Sequence, residues 1–274
     1  MANLDLDFAA LLVGLSLFTG VVWAIDHFAF RKKRLARKPD AKEPVLVEYC
    51  RSFFPVIFAV LLIRSFLAEP FRIPSDSMMP TLLDGDFILV NKFAYGIRIP
   101  VVNKKVIAIG EPERGDVVVF RYPGYPNRPD DPNIGTDYIK RIIGLPGDEV
   151  TYRDRVLYVN GEKVEARLVG RYEGSSITRD YRGYQSIEEK LGAATHESLL
   201  GPPPASAGGQ EGTWRVGEGE YLVMGDNRSN SEDGRYWGMV PEANLVGRAF
   251  LIWFNWDKRH SGVGHWRRIG TVIH

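Results

Sequence analysis

The hydropathy of the chain changes character along its length. From Phe8 to Ile25 the residues are apolar almost without break, with Gly14, Ser16, Thr19 and Gly20 as the small or weakly polar members. A run of about 18 such residues is near the length of a membrane-crossing helix. A second apolar stretch, Phe53 to Ala68, contains Pro55 and Arg64. Near the end of a span Arg64 can lift its charge to the headgroups along its apolar stem, so this stretch predicts a second span. After residue 70 short segments of β type take over, each bounded by turn residues. Phe87 to Val90 follows Asp84-Gly85, Val117 to Tyr122 follows Gly115-Asp116, and Tyr138 to Ile143 ends at Gly144-Leu145-Pro146-Gly147. Val156 to Val159 and Glu162 to Val164, joined by Asn160-Gly161, predict a hairpin with a type I′ turn. Strands are also predicted at Glu220 to Met224 and Leu245 to Phe254.

Charge orients this plan. Arg31, Lys32, Lys33, Arg34, Arg37, Lys38 and Lys42 lie between the two apolar stretches, opposed mainly by Asp40 and Glu43. The positive-inside rule makes this linker cytoplasmic and puts the N-terminus and everything after residue 68 on the other side. A cleaved signal peptide would begin basic and end at a small-residue cleavage site. Here Asp5 and Asp7 precede the apolar run and the basic cluster follows it, so the run predicts a retained anchor. The expected layout is a first anchor over 1–30, a basic cytoplasmic linker over 31–52, a second transmembrane segment over 53–69 and a periplasmic β domain over 70–274. The protein would then be multi-pass in the inner membrane. An insertion is expected at about 151–215. Within it, Arg171 to Gly212 reads as loops around Ser175-Ser176, Pro202-Pro203-Pro204 and Gly208-Gly209, with a short helical turn at Ile187 to Leu191.

A net charge of +1 over 274 residues offers no whole-chain argument for nucleic acid as a partner. Cys50 is the single cysteine and the five histidines (His27, His196, His260, His265, His274) are scattered, without zinc-ligand spacing. No metal or cofactor is expected.

Candidate chemistry concentrates in three places. In Ile73-Pro74-Ser75-Asp76-Ser77-Met78-Met79-Pro80-Thr81 the prolines impose a non-helical path, and in an extended stretch Ser75 and Ser77 share a face. Serines between prolines are equally the mark of an ordinary loop. On the strand Asp137-Tyr138-Ile139-Lys140-Arg141-Ile142-Ile143-Gly144, Lys140 shares a face with Tyr138 and Ile142. Among apolar neighbours an ammonium is desolvated and its pKa falls, which frees a neutral amine; the alternative is a solvent-facing lysine. Met224 to Gly238 is dense in Asp, Asn, Ser and Gly, as suits either a loop bracing a site or an elaborate turn.

Taken in order, these segments resemble the bacterial type I signal peptidase family. The resemblance runs through the two anchors, Ser75-Asp76-Ser77-Met78-Met79-Pro80-Thr81, Gly115-Asp116-Val117-Val118-Val119-Phe120, Tyr138-Ile139-Lys140-Arg141 and Gly225-Asp226-Asn227-Arg228. It implies a mainly β fold: a curved antiparallel catalytic sheet of signal-peptidase type with a smaller inserted β subdomain, preceded by two transmembrane helices. It implies Ser77 as nucleophile and Lys140 as general base. The Ser77 N–H and the Ser75 hydroxyl would form an oxyanion hole, and Ser231 would hold the lysine amine. Phe71, Ile73, Pro74, Met78, Leu82, Tyr138 and Ile139 would line pockets for small side chains. Arg141, Asp233 and Arg235 would brace the site by ion pairing.

This sequence departs from the commonest family pattern at Asp76, Gly234 and Ser229. The implied activity is a serine endopeptidase that removes signal peptides from exported preproteins after a small residue. Its implied partners are those preproteins, the lipid bilayer and, functionally, the export translocon. Ser77 follows the second apolar run by about nine residues, at most roughly 30 Å of chain, which keeps the site near the membrane surface. Two alternatives fit the same residues: a family member dedicated to one pilin-type or conjugation precursor, and an inactive membrane-tethered binding module.

Overall fold

The computed structural model describes residues 3–37, 42–66, 69–98, 105–174, 178–202, 210–256 and 265–274. The chain divides into two units, Met1–Ala68 with Arg98–Lys104, and Glu69–Ile97 with Lys105–His274. Each is taken by itself. Lys38, Asp40, Ser175, Ser176, Pro203, Pro204, Gly208, Gly209 and His260, and the side chain of Arg64, lie outside the described residues.

In the first unit α1 (Asn3–Ile25) runs through a π-turn at Asp26–Phe30 into α2 (Arg31–Arg37), and α3 (Val45–Phe66) packs against α1. The second helix begins at Val45, upstream of the apolar run at Phe53, because Val45, Leu46 and Val47 extend its apolar surface. Pro55 stands inside α3 without ending it. Gly20 is the point of close approach. A Cβ there would meet the Phe54 ring at 2.7 Å, and Trp23 packs on the same ring at 5.7 Å between centroids. The remaining sides stay apolar and open: Leu17, Phe18, Val21, Phe53 and Val56 are exposed. Leu11–Ala36 and Val45–Leu62 are long and apolar enough to cross a membrane. Hydrocarbon is the surrounding in which such faces are stable.

The second unit is mainly β. Its principal strands are β1 (Glu69–Arg72), β2 (Asp86–Asn91), β3 (Val117–Arg121), β4 (Asp137–Gly144), β5 (Glu149–Arg153), β6 (Val156–Val159), β7 (Glu165–Arg171), β8 (Gln185–Leu191), β9 (Ala194–Leu200), β10 (Gly212–Arg215), β11 (Glu220–Met224) and β12 (Leu245–Asn255). The large sheet has the order β1-β2-β12-β3-β4-β11, closed at one edge by Val240–Pro241, and is antiparallel throughout. Strand β12 pairs with β3 near its start and with β2 over the rest, and its register slips between Leu245 and Gly247, Ala249 and Leu251, and Ile252 and Phe254. Each such bulge bends the strand and increases twist, which curls the sheet.

Curling gives the central strands two covered faces. Val117, Val119 and Ile139 pack with Ile73, Met78, Leu82, Ile88 and Ile252. Val118, Phe120 and Ile142 pack with Tyr221, Val223, Trp237 and Leu245. For this reason β3 reads as an unbroken apolar run, whereas β2 alternates with Asp86, Ile88 and Val90 inward. The Asn160-Gly161 hairpin forms as the sequence predicts, with φ of 54° and 79° at the two turn residues, and joins β10, β5 and β6 in a small sheet.

The region over 171–212 differs from the expectation. The helical turn predicted at Ile187 to Leu191 is strand β8, which pairs with β7 and β9 in a separate three-stranded sheet. The period of two along Ile187, Glu189 and Leu191 is hidden because its middle member is charged, and Glu189 is buried against an arginine from another segment.

Candidate active site

Residues 73–82 are not extended. Met79 N donates to Asp76 O at 3.2 Å and Leu82 N to Met78 O at 2.9 Å, which folds the stretch into consecutive turns. The two hydroxyls nevertheless converge, with Ser75 Oγ and Ser77 Oγ 3.4 Å apart. The turn, rather than strand alternation, brings them together. Ser75 faces solvent while Ser77 is 9% exposed.

Strand β4 delivers the third group. Lys140 Nζ lies 2.6 Å from Ser77 Oγ, and the side chain is buried. Burial pushes its pKa down from 10.5 to about 8, against the upward pull of Asp233 and Asp226. About a tenth of the amine is then neutral at pH 7 and about half near pH 8, placed where it can accept the serine proton.

The loop after β11 closes over this pair. Asp233 accepts from Gly225 N at 2.9 Å and caps the short helix α4 (Gly234–Trp237) by accepting from Arg235 N. Its carboxylate also accepts from Arg235 Nε at 2.8 Å. The sequence groups Arg141 with Asp233 and Arg235, but the structure separates them into two pairs. Arg141 donates from Nε and Nη2 to Asp226, at 2.8 and 2.7 Å. Burial alone would raise the Asp226 carboxyl, but Arg141 and His196 outweigh it and hold it below its ordinary value. Arg141 also reaches the carbonyls of Gly115 and His274. A third pair, Arg228 with Glu189 of β8, fastens the three-stranded sheet to the same loop, and Glu189 is held at about 2. There burial is again opposed, chiefly by the Arg228 charge.

Gly225 sits where nothing larger fits. A Cβ there would collide with the Ser231 hydroxyl and the Ser77 carbonyl. That crowding places Ser231 beside the Ser77 backbone, yet its hydroxyl is buried without a hydrogen-bond partner among the described residues. The bond to the lysine amine that the resemblance implies is therefore not made in this structure. Gly234 begins α4 in a tight fit, because a Cβ would meet Leu222 Cδ1 and Val223 O at 2.8 Å. The freedom that glycine adds at this position is taken up by packing.

The apolar candidates divide by exposure. Phe71, Pro74 and Tyr138 keep surface open to solvent, whereas Ile73, Met78, Leu82 and Ile139 are buried in one core cluster; Phe71 packs on that cluster, and Tyr138 packs on the other one, against Phe120 and Tyr122. Thr81, Gly225, Asp226 and Asn227 lie in motifs visible in the sequence but without a role assigned from it, whereas Glu189 and His196, which meet Arg228 and Asp226, carry no sequence signal of their own. Asn227 donates from its main chain to Ser77 O at 3.1 Å and from Nδ2 to Asp76 O at 3.1 Å.

Comparison with known proteins bears on this arrangement. Residues 46–256 match the family model described as signal peptidase, peptidase S26. A signal peptidase I of Pseudomonas fluorescens is 45% identical over 297 residues, covering 98% of this chain and all of the relative. A signal peptidase I of Pseudomonas aeruginosa is 46% identical over 304 residues, with 98% of this chain and 100% of the relative covered. A crystal structure of a signal peptidase I from Enterococcus faecalis V583 is 29% identical with a TM-score of 0.30, covering 52% of this chain and 98% of that one. With a family model spanning most of its length and full-length relatives at this identity, the chain belongs to the signal peptidase family, peptidase S26.

Proposed function

We propose that the protein is a membrane-held serine endopeptidase that hydrolyses the peptide bond after the signal sequence of exported preproteins, with Ser77 as nucleophile and Lys140 as general base. The observation that carries this reading is the 2.6 Å contact between the buried Lys140 amine and the Ser77 hydroxyl. Full-length relatives called signal peptidase I support the substrate class.

In this mechanism the neutral amine accepts the Ser77 proton as Oγ attacks the scissile carbonyl carbon. The Ser77 N–H and the Ser75 hydroxyl donate to the oxyanion, a contribution typically of about a hundredfold or more per donor. The lysine ammonium then gives its proton to the departing amine, leaving an acyl ester on Ser77. A water molecule deprotonated by the same amine hydrolyses that ester and regenerates the serine. Ser231 orients the amine during turnover from its place beside Ser77. Phe71, Ile73, Pro74, Met78, Leu82, Tyr138 and Ile139 line the pockets for small side chains, and of these Phe71, Pro74 and Tyr138 are open to solvent. The ion pairs of Arg141, Asp233 and Arg235 hold the loop rather than react.

The two apolar helices associate the chain with a membrane. The basic residues between them support a cytoplasmic linker and a periplasmic β unit in the inner membrane, where translocated precursors emerge. Protease shaving of spheroplasts, which should cut the β unit and spare the linker, tests this orientation.

A serine-reactive acylating inhibitor tests the chemistry. Mass mapping should place the adduct on Ser77 in the wild type and show it strongly slowed in Lys140→Ala. An adduct on another serine, or unchanged labelling without Lys140, would contradict the assignment.

A further inference from the structure

The peptide unit joining Asp76 to Ser77 is gripped from two directions. Asn227 is fully buried, and its Nδ2 donates to the Asp76 carbonyl at 3.1 Å while its main-chain N–H donates to the Ser77 carbonyl. A trans peptide is planar, with its C=O and N–H directed to opposite sides. Fixing the Asp76 carbonyl therefore fixes the direction of the Ser77 N–H. That N–H makes no hydrogen bond among the described residues, which leaves its donor unused within them.

The second grip comes from the region over 171–212. Tyr181, at the end of a 3-10 turn (Arg179–Tyr181), donates its hydroxyl to Asp76 Oδ2 at 3.2 Å. The Tyr181 hydroxyl oxygen in turn accepts from Asn230 Nδ2 at 2.7 Å, which ties Tyr181 to the loop after β11. Its ring stands edge-on to Tyr184, and Tyr172, Tyr181 and Tyr184 pack on Met79, Leu83 and Leu199 beneath the serine turn. Strand β9 reinforces the arrangement, since Leu199 N donates to Asp226 O at 2.9 Å, next to Asn227. The Asp76 carboxylate thus has an acceptor's task.

We infer that Tyr181 and Asn227 are positioning residues that aim the Ser77 N–H at the developing oxyanion, Tyr181 acting through the Asp76 carboxylate. This rests on the reading of Ser77 as nucleophile. It gives the inserted segment a part in the reaction: it holds a main-chain donor whose hydrogen bond weakens steeply when misaligned.

The test uses full-length protein in detergent with Tyr181→Phe, Asp76→Ala and the double variant, assayed on a peptide with an Ala-x-Ala cleavage sequence and on the matching peptide aldehyde. The aldehyde adds to a serine hydroxyl and generates the oxyanion, whereas an uncleavable ground-state peptide does not. Tyr181→Phe keeps the ring packing and should lower kcat by about tenfold, a fraction of the loss of a whole donor. It should weaken the aldehyde by a similar factor and leave KM and the ground-state peptide within about twofold. The double variant should be no worse than Asp76→Ala, since the two groups act as one contact.

Wild-type kcat and aldehyde affinity in Tyr181→Phe, or losses that multiply in the double variant, would overturn the inference. So would equal loss of both ligands with a lowered unfolding temperature, the mark of a merely structural contact. Ser77→Ala is run beside them. If it still cuts, the reading of the nucleophile fails; if it is dead while Tyr181→Phe is normal, this inference alone fails.

Discussion

Replacing Lys140 by methionine should stabilise the protein near neutral pH while abolishing activity. The amine is buried and its pKa falls from 10.5 to about 8 through desolvation. At about 1.4 kcal/mol per unit, that shift corresponds to about 3 kcal/mol disfavouring the native state wherever the lysine is protonated in both states. The sign follows from proton binding. Between about 8 and 10.5 the unfolded chain holds the proton and the native protein does not. Native stability from this group is thus lowest below pH 8 and rises as the pH passes from 8 toward 10.5. Methionine has similar length and no charge, so it removes the penalty but also the bond to Ser77, worth about 1 kcal/mol.

The expected net gain is about 2 kcal/mol at pH 7, shrinking to near zero at about pH 9.5, where the wild-type penalty is only about 1.4 kcal/mol. The assay is denaturant unfolding of the full-length proteins in detergent, followed by tryptophan fluorescence at several pH values. The pH dependence of the difference between the two proteins isolates this residue from all other titrating groups. A difference that stays constant from pH 6.5 to 9.5, or a variant less stable than wild type at pH 7, would refute the argument that Lys140 is held in a desolvated site.

Further outcomes follow from the same geometry. With the neutral amine as base, as proposed, kcat/KM should rise with pH through a midpoint near 8, and Glu232→Gln should move that midpoint down, since the Glu232 charge raises the lysine pKa. A pH–rate profile of the two proteins checks both the position and the direction. Gly225→Ala should lose activity by more than about tenfold, because the added Cβ collides with the Ser77 carbonyl and the Ser231 hydroxyl. Peptide cleavage by a variant shown to be folded by circular dichroism tests it. Glu189→Gln leaves the Arg228 guanidinium buried without its counter-charge and should destabilise by about 3–5 kcal/mol, read by denaturant titration.

The sequence is most legible where one residue type does a local job. Asn160-Gly161 marks a turn that needs two left-handed residues, and both adopt that conformation. The long apolar runs mark α1 and α3, although the start of α3 at Val45 is masked by Glu48 and Arg51 on its flank. In the site, the Ser77 and Lys140 motifs are visible as motifs, and the fold brings them to 2.6 Å across 63 positions. What is not legible depends on partners distant in sequence. Glu189 looks like a solvated charge until Arg228 buries it, and this hides β8 as a strand. Arg141 reads as a general brace, but which aspartate it grips is decided by the path of the loop after β11. Asn227 and Tyr181 touch Asp76 from segments 151 and 105 positions away, a relation no local pattern encodes.

The central claim is met most directly by processing of a purified signal-bearing precursor in detergent by wild-type, Ser77→Ala and Lys140→Ala proteins, with the new N-terminus read by mass spectrometry. The wild type should cleave after a small residue, and both folded variants should lose processing. Processing by Lys140→Ala at near the wild-type rate, or by Ser77→Ala at all, would contradict it.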